Sequence, residues 1–152
     1  MHFSAREMNQ ERANEITSWK YDEPYDFYNM SKSKETINEL MNEAYTAVIN
    51  EKEELVGFFC TGKSAQVPVG ALNGVYEEEL LDVGLGLKPE LTGQGLGRDF
   101  MVFIIDYLDH QPLRLTVANF NQRAIRLYAK VGFSNDREFY RSSVKFITMV
   151  KR

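Results

Sequence analysis

Residues Val83–Arg98 read VGLGLKPELTGQGLGR and decide the fold. The stretch starts as an apolar strand and passes through three alternate glycines, Gly93, Gly95 and Gly97, into a long apolar helix. Glycine allows a tight turn and lets a ligand approach the backbone closely. The first amide hydrogens of a helix have no partner within it, and with the helix dipole they form an anion site. The pattern indicates either a pyrophosphate site or a turn that merely connects strand to helix.

Two common nucleotide motifs do not fit residues 93–97, called the glycine turn below. A P-loop ends in Gly-Lys-Ser/Thr, whereas Gly97 is followed by Arg98 and Asp99. The dinucleotide fingerprint needs glycine or alanine three residues after its second glycine, and the corresponding positions hold Arg98 and Phe100. The functional interpretation of the glycine turn is therefore a phosphate-bearing ligand of another class.

Strands and helices alternate irregularly on both sides of the glycine turn. Asn9 and Asn121 are typical helix caps, and Gly132 stands where a helix often ends. A loop that holds Pro68, Gly70 and Gly74 precedes the strand of the quoted stretch. The order of elements predicts a three-layer α/β or α+β domain around a mixed sheet. Strands are predicted at about 2–6, 44–50, 55–62, 78–87, 113–117, 133–141 and 144–151, and helices at about 10–19, 33–43, 95–110 and 122–131.

Composition narrows the class of protein. The chain has 152 residues, which suits a single domain, and 43% of them are hydrophobic, which is enough for a packed core. The net charge of -4 argues against a nucleic-acid surface and fits a cationic acceptor such as an amine. No apolar run approaches the ~20 residues that span a bilayer, and no signal peptide is visible, so we expect a cytoplasmic protein without a membrane segment.

Cysteine and histidine are too few for a disulfide framework or a zinc site. The single cysteine, Cys60, lies in an apolar run and is interpreted as a buried hydrophobic residue. His2 and His110 have no Cys or His neighbours at metal-ligand spacing. We therefore expect no metal.

Two blocks of the sequence resemble the GNAT family of acetyltransferases. Residues Leu87–Gly97, LKPELTGQGLG, follow the family's central motif Val-x-Pro-x-x-Arg/Gln-x-x-Gly-x-Gly/Ala. The later motif Asn-x-x-Ala-x-x-Leu-Tyr-x-x-x-Gly-Phe is matched from Asn121 to Phe133. The resemblance implies one domain over residues 1–152. It also implies a three-layer α/β/α fold with a mixed, mostly antiparallel sheet of about seven strands and about four helices.

The resemblance implies acetyl-CoA as co-substrate, bound mainly by backbone groups. In such enzymes the central strand separates from its neighbour, and the pantetheine arm pairs with its exposed backbone. Thr92 stands at the Arg/Gln position of the central motif, so Gln94 or Arg98 would have to supply the missing long polar side chain. The residues that match the cofactor site are Leu85, Gly86, Leu87, Thr92, Gly93, Gln94, Gly95, Leu96, Gly97, Arg98, Asn121 and Tyr128.

Proton transfer needs an acid for the leaving thiolate and a base for the amine. By resemblance Tyr128 is the acid, although its helical spacing fits core packing equally well. Asp82 is the first candidate for the base, because it lies in an otherwise apolar strand, and a structural hydrogen bond is its alternative role. Glu79 is the second candidate, and a solvated strand end is the alternative for the Glu77–Glu79 run.

The aromatic segment from Trp19 to Tyr28 lies on the acceptor side of the site by the same resemblance. Tyr21, Tyr25 and Tyr28 are the candidate substrate-binding residues, since their rings and hydroxyls suit an amine. Trp19 and Phe27 are better interpreted as packing residues.

The predicted function is an N-acetyltransferase that moves the acetyl group of acetyl-CoA onto a primary amine by direct attack in a ternary complex. The acceptor is a small molecule, an amino acid or a protein N-terminus, and the protein acts as a monomer or homodimer. A non-catalytic acyl-CoA-binding or sensing module with the same fold is the alternative. A purely structural α/β domain is the third interpretation.

Overall fold

The computed structural model describes all 152 residues as two compact units. Unit 1 comprises residues 1–60 and 85–97, and unit 2 comprises residues 61–84 and 98–152. The single-domain organisation stays a prediction. The strands are β1 (Ser4–Glu7), β2 (Tyr45–Ile49), β3 (Leu55–Thr61), β4 (Leu81–Leu87), β5 (Leu113–Ala118), β6 (Ser134–Arg141) and β7 (Val144–Lys151). The helices are α1 (Gln10–Ser18), α2 (Lys34–Asn42), α3 (Pro68–Leu72), α4 (Leu96–Tyr107) and α5 (Gln122–Lys130).

The seven strands form one mixed sheet in the order β1-β2-β3-β4-β5-β7-β6. The pairs β1–β2, β2–β3, β5–β7 and β6–β7 are antiparallel, whereas β4–β5 is parallel. Strand β4 contributes Leu81–Gly84 to unit 2 and residues 85–87 to unit 1. The predicted mixed, mostly antiparallel sheet is confirmed.

Side-chain caps fix where the helices begin. The Asn9 side chain accepts a hydrogen bond from the amide of Arg12 at 2.8 Å, and the Asn121 side chain accepts one from the amide of Ala124 at 3.2 Å. These bonds satisfy amides that have no partner inside the helix, as the sequence predicted. The longest helix, α4, has 12 residues, and no helix has the length and apolar character that crossing a membrane requires.

The core of unit 1 is built on β3, whose residues Leu55–Cys60 are all buried. A strand covered on both faces needs a continuous apolar run rather than alternation. Phe58 stacks on Trp19 with ring centroids 6.2 Å apart, and it is tilted against Tyr45 at 6.0 Å. Cys60 is buried, as its apolar surroundings predicted. The aromatic rings therefore join α1 to β2 and β3.

Unit 2 differs from the sequence prediction between β3 and β4. The predicted loop contains the short helix α3, which Pro68 opens at a position where its missing N–H costs nothing. Gly70 has no room for a Cβ, because that atom would lie 3.0 Å from Cζ of Phe139 and 3.0 Å from a methyl carbon of Val75. The short helix thus packs closely on Val75 and Phe139 through Gly70, whereas glycine and proline in the sequence indicate a loop. Strand β4 also begins three residues later than predicted, at Leu81.

We predict that Gly86→Ala destabilises the fold. A Cβ at Gly86 would lie 2.6 Å from Cζ of Phe58, whose ring is buried. Overpacking of this kind costs about 1–3 kcal/mol in the free energy of unfolding, measurable by urea denaturation. Gly86→Ala combined with Phe58→Leu should lose less than the sum of the two single variants, since the smaller side chain relieves the clash. Additive losses would contradict the contact.

Candidate active site

The glycine turn has the backbone conformation that only glycine adopts readily. Pro89–Leu91 forms a short 3₁₀ helix, and Gly93 and Gly95 follow with φ values of +73° and +78°. No heavy atom lies within 4 Å of the position that a Cβ at Gly95 would occupy. Helix α4 begins at the next residue, so its first amides lie beside an open stretch of backbone. An anionic group can therefore approach the turn without displacing a side chain.

The polar side chains of this segment are partly committed to local hydrogen bonds. Thr92 donates its hydroxyl to the carbonyl of Pro89 at 2.7 Å, and the Gln94 side-chain amide donates to the carbonyl of Glu90 at 2.6 Å. Both side chains are therefore bound to carbonyls of the same segment. Arg98, the third residue of α4, is exposed and is the cation that stands nearest in sequence to the turn. Of the two residues expected to compensate for Thr92, the geometry therefore favours Arg98.

The end of β4 is held by contacts within unit 1. The ring of Phe58 fills the space that a side chain at Gly86 would need. A ligand at this position could therefore meet only backbone atoms. The amide of Lys88 donates to the carbonyl of Val56 at 2.8 Å, which fixes β4 on β3. The Leu87 carbonyl accepts the hydroxyl of Tyr21 at 2.7 Å. A carbonyl has two lone pairs, so the Leu87 oxygen keeps capacity for one further donor.

Tyr21 is therefore placed against the predicted cofactor strand rather than in solvent. Burial, with the nearby charge of Glu90, raises the pKa of Tyr21 well above its ordinary value. The phenol stays a neutral hydrogen-bond donor and cannot act as a base. The amide of Tyr21 also donates to Asn29, so the segment is tied at both its backbone and its side chain. Tyr25 is half-buried and Tyr28 is exposed in the 3₁₀ helix Tyr25–Tyr28.

Trp19 and Phe27 were both predicted as packing residues, but only Trp19 is buried in the structure. Trp19 is 5% exposed and belongs to the core of unit 1, whereas Phe27 is 38% exposed with its ring against Tyr28. The indole Nε1 of Trp19 is the one buried side-chain nitrogen or oxygen without a hydrogen-bond partner. Packing therefore accounts for the ring of Trp19 but not for its N–H group.

In unit 2, helix α5 carries Asn121 and Tyr128. Asn121 is the N-cap, so its cap function is confirmed. Tyr128 is half-buried, and its ring is 6.1 Å from that of Phe133, which is 3% exposed. The ring packs while part of the side chain reaches the surface, a placement compatible with both packing and proton donation.

Asp82 lies in a buried ion pair. Its Oδ1 accepts from Nε of Arg114 at 2.7 Å, and its Oδ2 accepts from Nη2 at 2.8 Å. The side-chain amide of Gln66 adds a third bond, to Oδ2, at 2.8 Å. The side-chain hydrogen bonds to Asp82 hold the pKa of Arg114 above its ordinary value. A carboxylate bound by three donors is poorly suited to take a proton from an amine, so this geometry favours the structural alternative for Asp82.

Arg114 is the residue that the sequence interpretation missed. It is 2% exposed on β5, directly opposite Asp82 in the parallel register. Its position inside an apolar strand could have indicated an ion pair, because a buried charge needs a partner of opposite sign. The register that joins it to Asp82 is not visible in the sequence.

The acidic run before β4 is exposed. Glu78 binds Arg152 at 2.7 Å, in a pair that is about half-exposed on both sides. Glu79 has no hydrogen bond or ion pair and stands two residues before the strand. No group of three or more His, Cys, Asp or Glu side chains is placed to hold a metal ion.

The sequence profile described as Acetyltransferase (GNAT) family matches residues 11–133. The chain belongs to the GNAT acetyltransferase family. The match includes the glycine turn and the block from Asn121 to Phe133, so the resemblance seen in the sequence is confirmed. A mycothiol acetyltransferase from Acidimicrobium ferrooxidans is 36% identical over 87 residues, which are 55% of this chain and 26% of that protein. The matched stretch thus spans about a quarter of the relative's length.

Solved GNAT structures share the fold of this chain. A spermidine N-acetyltransferase chimera from Vibrio cholerae and hSSAT superposes with a TM-score of 0.68 at 17% identity, over 99% of this chain and 95% of the other. AAC(6')-Ib in complex with paromomycin and acetyl-CoA superposes with a TM-score of 0.72 at 19% identity, over 99% and 93%. These likenesses confirm the predicted fold class of this GNAT protein.

We predict that Tyr21→Phe destabilises this GNAT protein by about 0.5–1.5 kcal/mol, the net value of one hydrogen bond. The ring keeps its packing, and only the bond to the Leu87 carbonyl is lost. Tyr140→Phe is the matched control, because Tyr140 is 58% exposed. Urea denaturation should show no measurable change in the control. Equal stability of the two variants would show that the Tyr21 hydroxyl is not committed to β4.

Proposed function

We propose that the protein is an acetyl-CoA-dependent N-acetyltransferase whose acceptor is a primary amine. The observation that carries the proposal is the glycine turn, where Gly95 has a φ of +78° and open space beside its backbone at the start of α4. Membership of the GNAT family supports an acyl transfer function for this turn. Gly62 has a similar φ and equally open space, but only Gly95 directly precedes the 12-residue helix α4, where unpartnered amides can bind an anion.

Backbone groups would hold most of the co-substrate. The amides of residues 94–98 fit a pyrophosphate, because they surround the start of a 12-residue helix and the backbone of Gly95 among them is open to approach. Arg98 adds a positive charge in the first turn of that helix. The backbone of Leu85, Gly86 and Leu87 is the proposed partner of the pantetheine arm. Asn121 is proposed as a further contact, in addition to its role as helix cap.

Acetyl-CoA supplies an activated thioester, so the chain needs only to orient it, polarise its carbonyl and move protons. A backbone amide near Leu85 or Leu87 would stabilise the charge that develops on the carbonyl oxygen. Tyr128 would donate a proton to the departing sulfur, since its phenol carries an O–H donor and the side chain is only half-buried. No protein nucleophile is required when the amine attacks directly.

The amine must lose a proton as it reacts. The three donors on Asp82 argue against its use as the base. Glu79 keeps an unpaired, exposed carboxylate close to the start of β4, and we propose it as the base, acting directly or through water.

Tyr25 and Tyr28 are the proposed acceptor-binding residues of the aromatic segment. Tyr28 is exposed and packs edge-on against Phe27 at 5.2 Å, which leaves an aromatic surface of the kind that attracts cations. Tyr21 has a different proposed role, because its hydroxyl is bound to Leu87. It would hold the segment in place. The acceptor remains a small amine, an amino acid or a peptide N-terminus.

Two measurements test the proposal together. Acetyl-CoA at about 100-fold its Kd should stabilise the cofactor-free protein by about 2.7 kcal/mol, seen as a rise in Tm. Thiol release should then occur with one or more members of an amine panel that contains spermidine, kanamycin, free amino acids and a peptide. Absence of a thermal shift would leave a purely structural domain. A shift without thiol release from any amine would identify a non-catalytic acyl-CoA-binding module.

We predict that Gly95→Ala abolishes coenzyme A binding, whereas Gly62→Ala does not. Both glycines have positive φ, +78° and +74°, and neither has a heavy atom within 4 Å of its Cβ position. The two variants should therefore suffer the same backbone strain, roughly 1–2 kcal/mol. Only the Cβ at Gly95 would stand in the path of a phosphate. Equal affinities for coenzyme A by calorimetry would place the pyrophosphate elsewhere.

We predict that Tyr128→Phe lowers turnover about 10²–10⁴-fold while coenzyme A affinity stays nearly unchanged. The ring contact with Phe133 is preserved, so stability should change little. The loss should appear in both kcat and kcat/KM, because the proton is needed in the transition state and not in the bound ground state. Near-normal turnover would assign Tyr128 to packing alone.

A further inference from the structure

Strands β4 and β5 pair over a very short length. Their parallel register contains only two residue pairs, Leu81 with Leu113 and Asp82 with Arg114. On its other side β5 pairs with β7 along all of residues 113–118. The ladder between β4 and β5 therefore ends at Asp82, at the start of the segment whose backbone we assign to acetyl-CoA.

A ladder of two pairs does little to fix its own register. A slip by one residue turns every side chain of a strand to the opposite face of the sheet. Such a slip would leave Arg114 and Asp82 on different faces, and an unpaired buried charge is strongly unfavourable. The side chains of these two residues, 2% and 3% exposed, therefore specify the register that the backbone cannot specify alone.

The contacts of Arg114 extend beyond Asp82. Nη1 donates to the carbonyl of Glu78 at 3.0 Å, and the guanidinium lies 5.1 Å from the centre of the Tyr76 ring. The hydroxyl of Tyr76 accepts from the amide of Val67 at 3.0 Å and hydrogen-bonds Thr116 at 2.8 Å. Thr116 lies two residues past the last β4–β5 pair, on the same face of β5 as Arg114. The segment before β4 thus covers β5 where the ladder has ended.

Stability alone does not explain this arrangement. Replacing a buried ion pair by apolar residues of similar volume is often neutral or stabilising. A bidentate guanidinium–carboxylate pair supplies fixed geometry instead, because two parallel hydrogen bonds define both distance and orientation. The pair is the last registered pair of the β4–β5 ladder and directly precedes residues 83–87, which have no registered pair on β5.

We propose that Asp82 and Arg114 are a positioning pair, which fixes the residue at which β4 leaves β5 and thereby places the backbone of β4 for acetyl-CoA. The inference rests on the proposed function, since it assigns the placed backbone to that co-substrate. Neither residue touches the reacting atoms. Asp82 acts through β4, and Arg114 acts through Asp82 and the carbonyl of Glu78.

The test uses the double variant Asp82→Val/Arg114→Met, which removes both charges and puts apolar side chains of similar total volume in their place. It should melt close to the wild-type protein. Its coenzyme A affinity should fall about tenfold, which corresponds to one lost hydrogen bond. In the absence of ligand, amide hydrogen exchange across residues 81–87 should be faster than in the wild-type protein, while the β5–β7 ladder should be unchanged.

Two further variants make the comparison specific. Arg114→Lys keeps the charge but loses the bidentate fork, so it should give a smaller change in the same two measurements. It also replaces the double variant if that protein does not fold. Arg152→Gln is the control, because it removes the exposed ion pair between Arg152 and Glu78 in the same unit. It should leave coenzyme A affinity and hydrogen exchange at wild-type values.

Wild-type values in either measurement for a folded double variant, or for Arg114→Lys in its place, would overturn the proposal. Failure of the proposed function has a different signature, because the wild-type protein itself would then bind no coenzyme A. In that case only the comparison of hydrogen exchange in β4 between the variants and the wild-type protein decides whether Asp82 and Arg114 set the end of the ladder.

Discussion

The early end of the β4–β5 ladder is the constraint on which the rest of the structure depends. Strand β5 keeps all its pairs with β7, whereas β4 has only two with β5 before its last residues pass to the neighbourhood of β3. The residues that follow Asp82 therefore have backbone groups without a registered partner on β5. Backbone groups of this kind can pair with a ligand that carries amide groups of its own, which is the role that we propose for residues 85–87.

Side-chain contacts hold β4 both before and after the stretch that follows Asp82. Before it, the buried Asp82–Arg114 pair fixes the register and ties the preceding segment to β5. After it, Phe58 packs on Gly86, and the Tyr21 hydroxyl binds the Leu87 carbonyl. The glycine turn comes next, and the positive φ values of Gly93 and Gly95 lead the chain into α4. The end of β4, the glycine turn and the start of α4 thus follow one another along the chain, and each has backbone groups that a ligand could bind.

Much of this could be predicted from the sequence, because caps, glycine positions and apolar periodicity are local signals. Asn9, Asn121 and Gly132 marked helix ends correctly, and the two motif blocks gave the family. Contacts between distant residues could not be predicted. The partner of Asp82 lies 32 positions away in Arg114, and the partner of Tyr21 is a backbone carbonyl 66 positions away. Helix α3 was missed because Pro68 and Gly70 have low helix propensity, and the close packing of Gly70 on distant residues is not visible in the sequence.

The central claim is that backbone amides of the glycine turn and of the end of β4 bind the co-substrate. A titration of ¹⁵N-labelled protein with coenzyme A, followed by amide NMR spectra, tests it directly. We expect the resonances of residues 85–87 and 93–98 to shift, including the amide of Gly95, and the amide of Gly62 to stay unchanged. Saturable binding that leaves those resonances unchanged and shifts another region would contradict the account.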